Sequence, residues 1–549
     1  MSVIKFIEDP KENYSLALKK MEEQDFLFAL RLLKGAIRKE KNSDYFVELA
    51  ELYYKLKQYD ESTATYIEMA KYIPSIEVAL GALHSHQESL GMEMDPDSLS
   101  ISSGCFFNLS RKSVQNKKLN VILKEYQKVV AKFDEPKLID LKRNKILRKL
   151  QDAKNLALKG DYSKSMILLD SIEESEYASK VLELKIIVYF GAEDYDMVVK
   201  TARKYNATIK GNPVVARSLL YSLYFLNGKR INDEFEKEFA ICKNEIMEKG
   251  EPDSIIALYE LAQMIGYGRG SEDLVCIMEK LYPCDLTVLL TIIAHYGALE
   301  MLDEVDRVLK RTNEIFPNCP SVSYYNCLRK QSKIGQILPN SWYSLSEETI
   351  AFEYTRYFVL EYLKSLSKGD SRFDFDIFKS AITFLDVKSL RKLLTVKEVM
   401  ALEEYKEVLV WGIENPYLGI SNKILLIYLY LSTTHKSEKI FFIPMETGIV
   451  CTKLKGYKVN VDELSEANVF NLVYANALFT EHDVDAGKIL VAVKKIFSLQ
   501  NCEDKELLAA SSLYYYLRLK KYEPQLRLVA DTFNVSLDQL KEFIEIHNI

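Results

Sequence analysis

Residues 44–74 read DYFVELAELYYKLKQYDESTATYIEMAKYIP and carry two apolar stripes at helical spacing. Ala50 and Tyr53 fall on one face of a first helix. Ser62 and Tyr66 fall on one face of a second helix. We expect the small side chains of Ala50 and Ser62 to let the helix backbones approach, while the tyrosine rings fill the volume beside them. The stretch therefore predicts a helical hairpin.

The turn of this hairpin belongs to a phrase that recurs along the chain: an aromatic residue after an acidic or polar one, with a small residue three positions on. The aromatic residues of the four copies are Phe26, Tyr59, Tyr162 and Tyr195. The first two are 33 residues apart, and so are the last two. A period of about 34 residues is typical of helix–turn–helix repeats stacked into a solenoid. The predicted fold class is therefore all-α, an α-solenoid, which acts by presenting a long binding surface.

Composition agrees with a helical repeat protein. At 549 residues the chain exceeds the size of one core, about 250–300 residues, whereas each solenoid repeat buries surface only on its neighbours. The chain has only 20 Gly and 13 Pro, which suits helices joined by short turns. Its net charge of −6 disfavours nucleic acid, whose phosphates require a basic surface. With no signal peptide or membrane span evident, we expect a cytoplasmic protein that does not bind membranes.

Irregular stretches divide the chain. Repeat hairpins of this kind are expected at 1–86, a flexible loop or insertion at 87–118, and further, more divergent repeats at 119–331. A divergent helical region is expected at 345–549. Within it, β-rich runs on either side of a turn at 439–452 predict a small β-hairpin, expected to form a surface flap.

No motif for catalysis is evident. The eight cysteines are scattered without a CxxC pair, and His84 and His86 point in different directions on a helix. No glycine-rich phosphate loop or nucleophile motif occurs. We therefore expect reduced buried thiols, no metal, no cofactor and no enzymatic activity.

The hairpin at 44–74 resembles the tetratricopeptide repeat family. The residues that carry the resemblance are Phe46, Leu49, Ala50, Tyr53, Tyr59, Ser62, Tyr66 and Pro74. A second good copy lies directly before this hairpin, and looser copies recur between 140 and 320. The resemblance implies a non-catalytic scaffold that binds another protein, through a peptide or helix, in the groove lined by the first helix of each repeat.

Transferring the family's binding positions predicts the groove residues of this chain. They are Tyr14, Leu18, Met21, Val47, Glu51, Tyr54, Lys55, Glu183, Ile187 and Phe190. Val47 and Glu51 stand where chaperone-tail-binding members have lysine and asparagine, so that binding mode is not expected. The groove is instead apolar and aromatic with acidic edges, which suits an amphipathic helix or an extended peptide. Alternatively, some of these residues pack against the next repeat.

Residues 528–540 resemble a DNA-binding helix-turn-helix. This favours an alternative function, in which the repeats sense a peptide and the C-terminal segment contacts nucleic acid. The second helix, however, carries Asp538, Glu542 and Glu545 with Lys541 as its only basic residue, which opposes phosphate binding. A helical hairpin that caps the array is the other interpretation. The partner's identity and the oligomeric state stay open at this point.

Overall fold

The computed structural model describes residues 9–73, 76–91, 141–172, 177–332, 342, 348–368, 373–434, 439–445, 448–480, 484–499 and 504–549. Pro74 and most of the predicted loop at 87–118 lie outside these residues. The chain divides into two compact units, Met1–Ala131 with Ile293–Ile549, and Lys132–Ile292. We call them unit 1 and unit 2.

Helices make up nearly all the regular structure of the described residues. The N-terminal helices are α1 (Pro10–Glu22), α2 (Phe26–Lys39), α3 (Ser43–Lys55), α4 (Tyr59–Tyr72) and α5 (Ile76–Ser89). Next come α6 (Leu141–Leu158), α7 (Tyr162–Asp170), α8 (Ala178–Gly191), α9 (Tyr195–Asn206), α10 (Pro213–Leu226), α11 (Asp233–Lys249), α12 (Pro252–Met264), α13 (Gly268–Leu281) and α14 (Leu286–Ala298).

The rest of the chain belongs to unit 1. It begins with α15 (Leu302–Ile315), α16 (Pro320–Ser332), α17 (Glu348–Ser367), α18 (Phe375–Phe384), α19 (Val387–Leu394), α20 (Lys397–Met400), α21 (Tyr405–Glu414) and α22 (Ile420–Thr433). It ends with β1 (Phe441–Met445), β2 (Gly448–Thr452), α23 (Glu466–Thr480), α24 (Ala486–Phe497), α25 (Lys505–Leu519), α26 (Leu526–Phe533) and α27 (Leu537–His547). The described part of the chain contains no helix with the length and apolar character needed to cross a membrane.

One kind of turn recurs at the end of the first helix of several hairpins. The second residue after that helix has left-handed backbone dihedrals, with φ between 57° and 79°, at Gln24, Lys57, Gly160, Glu193, Gly266 and Glu300. The next N–H donates to the carbonyl five residues earlier, as from Gln58 to Tyr53 over 2.9 Å. This is the Schellman ending, which satisfies carbonyls that the helix leaves free. Three pairs of these residues are 33 or 34 positions apart, 24 with 57, 160 with 193 and 266 with 300, and this spacing confirms the predicted period.

The recurrent acidic residue in the phrase starts the second helix. The side chains of Asp25, Asp161 and Asp194 each accept a hydrogen bond from a backbone N–H in the first turn of the helix that follows. This N-cap satisfies a donor that would otherwise have no partner. The acid–aromatic pair is therefore a helix start signal, placed directly after the left-handed residue that ends the preceding helix.

Small residues set the distance between paired helices. Ser62 donates to the carbonyl of Ala50 over 2.8 Å, and Ser165 donates to that of Ala153 over 2.7 Å. All four residues are fully buried. Because a larger side chain would occupy the space of this contact, the predicted role of Ala50 and Ser62 is confirmed.

The β-hairpin is confirmed, with β1 antiparallel to β2 and Phe441 opposite Thr452. Its predicted position as a surface flap is wrong, since nearly all of its residues are buried. Helices α5 and α21 contact the strands. A two-stranded hairpin is marginal by itself, so it is stabilised by packing on helices.

Candidate functional site

The first helices of the N-terminal hairpins carry aromatic residues that meet between helices. The ring centroids of Tyr14 on α1 and Tyr45 on α3 lie 5.0 Å apart. Tyr54 on α3 stacks on His84 of α5, and its hydroxyl lies 2.8 Å from the Nε2 atom of that histidine. The rings of Tyr14 and Tyr54 remain partly exposed. We call this surface of α1, α3 and α5 the first-helix face.

Carboxylates border the aromatic residues of the first-helix face. Burial raises the pKa of the Tyr14 hydroxyl, and the charges of neighbouring Glu48, Asp44 and Glu51 raise it further. Burial also raises the pKa of Glu48, with added repulsion from Glu51, and the charge of Lys55 opposes that rise. Among the described residues, no ion pair includes any of these three carboxylates. A cation brought by a partner would therefore be stabilised here.

The other predicted residues of unit 1 lie on the same helices. Leu18 and Met21 on α1 and Val47 on α3 are half-buried, whereas Glu51 and Lys55 on α3 are exposed. The structure thus places apolar and charged predicted residues on adjacent first helices.

The predicted residues of unit 2 lie on α8. Ile187 is 39% exposed and Glu183 is half-buried. The ring of Phe190 packs edge-on against Tyr195 at 6.2 Å and against Tyr221 at 5.3 Å. Phe190 therefore contacts the next hairpin, which is the packing role left open for some of these residues.

The predicted residues of both units lie on first helices of hairpins that share one construction. Each of these first helices ends in a Schellman turn. In two hairpins of this kind a small residue on each helix forms the close contact, Ala50 with Ser62 and Ala153 with Ser165. These hairpins resemble tetratricopeptide repeats in their construction.

Comparisons with known proteins add only a distant likeness. Neither a protein-family model nor a curated protein matches the chain. The chain is similar to the crystal structure of yeast Tom70, with 10% identity over 96% of this chain and 99% of that one and a TM-score of 0.26. It is also similar to Cut9–Hcn1 of the APC/C, with 12% identity over 97% and 96% and a TM-score of 0.23. The P58(IPK) TPR domain has 11% identity over 70% and 98% and a TM-score of 0.18. Because these values are low, the assignment rests on the repeats themselves.

The opposite side of the N-terminal tetratricopeptide-like repeats carries a site that the sequence did not predict. A cavity of about 590 Å³ lies between α2, α3 and α4 on one side and the segment 310–318 on the other. We call it the α2–α4 cavity. Lys34, Arg38 and Lys41 line it from the α2 side, and Lys310 lines it from α15.

Glu61 is a buried carboxylate in the wall of the α2–α4 cavity, and only 1% of its surface is exposed. It accepts hydrogen bonds from the N–H of Asn318 at 3.1 Å, from the side-chain amide of Asn318 at 3.0 Å and from the hydroxyl of Tyr417 at 3.3 Å. Burial raises its pKa, and the charge of Lys34 and these hydrogen bonds oppose that rise. The carboxylate thereby links α4 to two distant segments of unit 1.

The turn between α15 and α16 is held against the repeats by further polar contacts. Lys34 donates to the carbonyl of Glu314, and the Tyr53 hydroxyl donates to that of Ile315 over 2.6 Å. Arg31 donates to the Glu314 carboxylate through two nitrogens, at 3.0 and 2.6 Å. Burial lowers the pKa of Lys34 to about 8. These contacts build one wall of the α2–α4 cavity.

A second cleft, of about 600 Å³, lies on the other side of α4. Trp411, Phe375 and Tyr72 line it together with the buried carboxylate of Glu414. Glu414 accepts hydrogen bonds from two flanking lysines, both at 3.0 Å. The cleft is therefore aromatic and close to neutral.

Two buried ionisable groups hold the end of β1. Lys423 donates to the carbonyl of Pro444, and the Nε2 atom of His86 lies 2.6 Å from the carbonyl oxygen of Met445. Burial lowers the pKa of Lys423 to about 7 and that of His86 to about 4. Both side chains serve the packing of the hairpin.

The C-terminal segment consists of two helices joined by a short turn. Helix α26 ends at the left-handed residue Asn534 and α27 follows, and both helices pack on α25. Asp538, Glu542 and Glu545 lie on α27, where a DNA-reading helix needs basic residues.

Other site chemistry is limited in the part of the chain that the structure describes. It contains no group of three or more His, Cys, Asp or Glu residues placed to hold a metal ion. Of its six cysteines, five are buried and Cys276 is exposed.

Proposed function

We propose that this protein is a scaffold that binds a peptide or an amphipathic helix of a partner protein on the first-helix face. Binding is its role, without catalysis of its own, and its setting is the cytoplasm. The observation that carries the proposal is the combination of partly exposed rings at Tyr14 and Tyr54 with neighbouring carboxylates that form no ion pair within the described residues.

The chemistry of this face favours one kind of partner. Tyrosine rings supply apolar contact area with little conformational freedom to lose, which is why they recur at binding surfaces. The carboxylates of Asp44, Glu48 and Glu51 lie close enough to Tyr14 to shift its pKa. The best partner is a segment with an apolar stripe flanked by lysine or arginine. Its apolar stripe would cover the tyrosine rings, and its cations would neutralise the carboxylates.

Affinity capture with mass spectrometry tests this proposal. The wild type is compared with Tyr14→Ala/Tyr54→Ala, and the matched control is Tyr357→Ala/Tyr522→Ala, which removes two tyrosines exposed by 40% and 52% elsewhere. Circular dichroism verifies that each variant is folded. We expect a protein retained by the wild type and the control but lost by the first variant. Equal capture by all three would refute the first-helix face as the binding surface.

Nucleic-acid binding is the second candidate, favoured only by the helix-turn-helix geometry of α26 and α27. A gel-shift assay at low salt, where phosphate contacts are strongest, tests it directly. We expect no shift, because α27 is acidic.

A further inference from the structure

The charges around the α2–α4 cavity do not balance. Three carboxylates line the cavity. Glu314 forms an ion pair with Arg31 at 2.6 Å, and Glu68 forms one with Lys41 at 3.5 Å. Glu61 is the third, and it is held by neutral donors.

Three of the four cations lining the cavity have no carboxylate partner. Lys34 donates to backbone carbonyls only. Arg38 and Lys310 are exposed, and neither forms an ion pair or hydrogen bond in the described residues. Three such cations face one carboxylate without an ion pair, Glu61, so the cavity has a surplus of two positive charges.

We propose that the α2–α4 cavity is a binding site for a phosphoryl group carried by a peptide of a partner protein. A phosphate has nearly two negative charges at neutral pH, which matches this surplus. The planar fork of Arg38 can donate two parallel hydrogen bonds to phosphate oxygens, and Lys310 supplies a second charge from the opposite wall.

The cavity also has room for the chain that carries the phosphate. Its volume of about 590 Å³ falls within the usual range for ligand sites, about 300–1,000 Å³. Phe46, Leu49 and Tyr53 supply an apolar wall. The site lies on the side of the repeats formed by α2 and α4, apart from the first-helix face, so it does not depend on the proposed function.

Isothermal titration with the full chain tests this site. The probes are the peptide acetyl-Ala-Ala-phosphoserine-Ala-Ala-amide, its unphosphorylated form and inorganic phosphate, at about 50 mM NaCl to limit screening. Arg38→Ala/Lys310→Ala removes two exposed cations from the cavity. Lys154→Ala/Lys204→Ala removes two exposed cations from α6 and α9 as the matched control.

We expect saturable binding of the phosphopeptide but not of its unphosphorylated form. Affinity should fall at least about tenfold in Arg38→Ala/Lys310→Ala, and stay unchanged in the control and in Tyr14→Ala/Tyr54→Ala. If inorganic phosphate binds as tightly as the peptide, the anion site stands but a peptide source is overturned. No binding of either phosphate probe, or equal losses in the two charge variants, overturns the proposal.

Discussion

Lys423→Met should remove a pH dependence of stability that the structure assigns to one amine. Lys423 is 1% exposed, and its nitrogen donates to the carbonyl of Pro444. Burial lowers its pKa from 10.5 to about 7, and the charge of Asp60 opposes that fall only in part. Between pH 7 and pH 10.5 the unfolded chain therefore binds a proton that the folded chain has released.

The sign and the size follow from proton linkage. Stability rises with pH wherever the unfolded state binds more protons, so the wild type should gain stability from Lys423 as pH rises through this window. A difference of one bound proton changes the free energy of unfolding by about 1.4 kcal/mol per pH unit. The whole pKa shift of Lys423 therefore corresponds to at most roughly 5 kcal/mol. Methionine cannot titrate, so between pH 8 and pH 10 the slope for Lys423→Met should be lower by about 1.4 kcal/mol per unit.

Urea unfolding at a series of pH values measures this difference. Trp342 and Trp411, the two tryptophans of the chain, both lie in unit 1 with Lys423, so their fluorescence reports on the right unit. Lys388→Met is the control, because that lysine is exposed on α19. Parallel pH profiles for wild type and Lys423→Met would refute the reasoning, as would an equal change in the control.

Two further substitutions test the fold. Glu61→Leu leaves two donors of Asn318 and the hydroxyl of Tyr417 without their acceptor. The free energy of unfolding, measured in urea, should therefore fall by roughly 3–5 kcal/mol. A fall below about 1 kcal/mol would show that the carboxylate does not link these segments. Asp194→Ala removes the N-cap of α9 and should destabilise the first turn of that helix by about 1 kcal/mol. Amide hydrogen exchange should become faster in that turn. An equal increase in α10 would indicate a general loss of stability instead.

The repeats were predictable because their determinants are local. The acid–aromatic phrase at Asp161 and Tyr162 encodes an N-cap and a helix start. The small residues Ala50 and Ser62 are 12 positions apart and meet in the same hairpin. Period, helix faces and the close contact all lie within one stretch of about 34 residues, so the sequence displays them directly.

The α2–α4 cavity could not be predicted in this way. Glu61 meets Asn318, which is 257 residues away, and Tyr417, which is 356 residues away. Nothing in the local pattern distinguishes Glu61 from an exposed acid on a helix. The predicted position of the β-hairpin at the surface was wrong for a similar reason. The helices α5 and α21, which contact β1 and β2, are separated from the strands in sequence, so the local pattern does not show that the hairpin is buried.

The most direct test of the central claim is site-specific photocrosslinking in cells that express this protein. A photoreactive amino acid replaces Val47 on the first-helix face or, as the control, Ile167 on α7, which is 69% exposed. We predict a protein adduct from position 47 that disappears when Tyr14→Ala is added, and no such adduct from position 167. Adducts from position 167 alone, or adducts from position 47 that survive Tyr14→Ala, would contradict binding on the first-helix face.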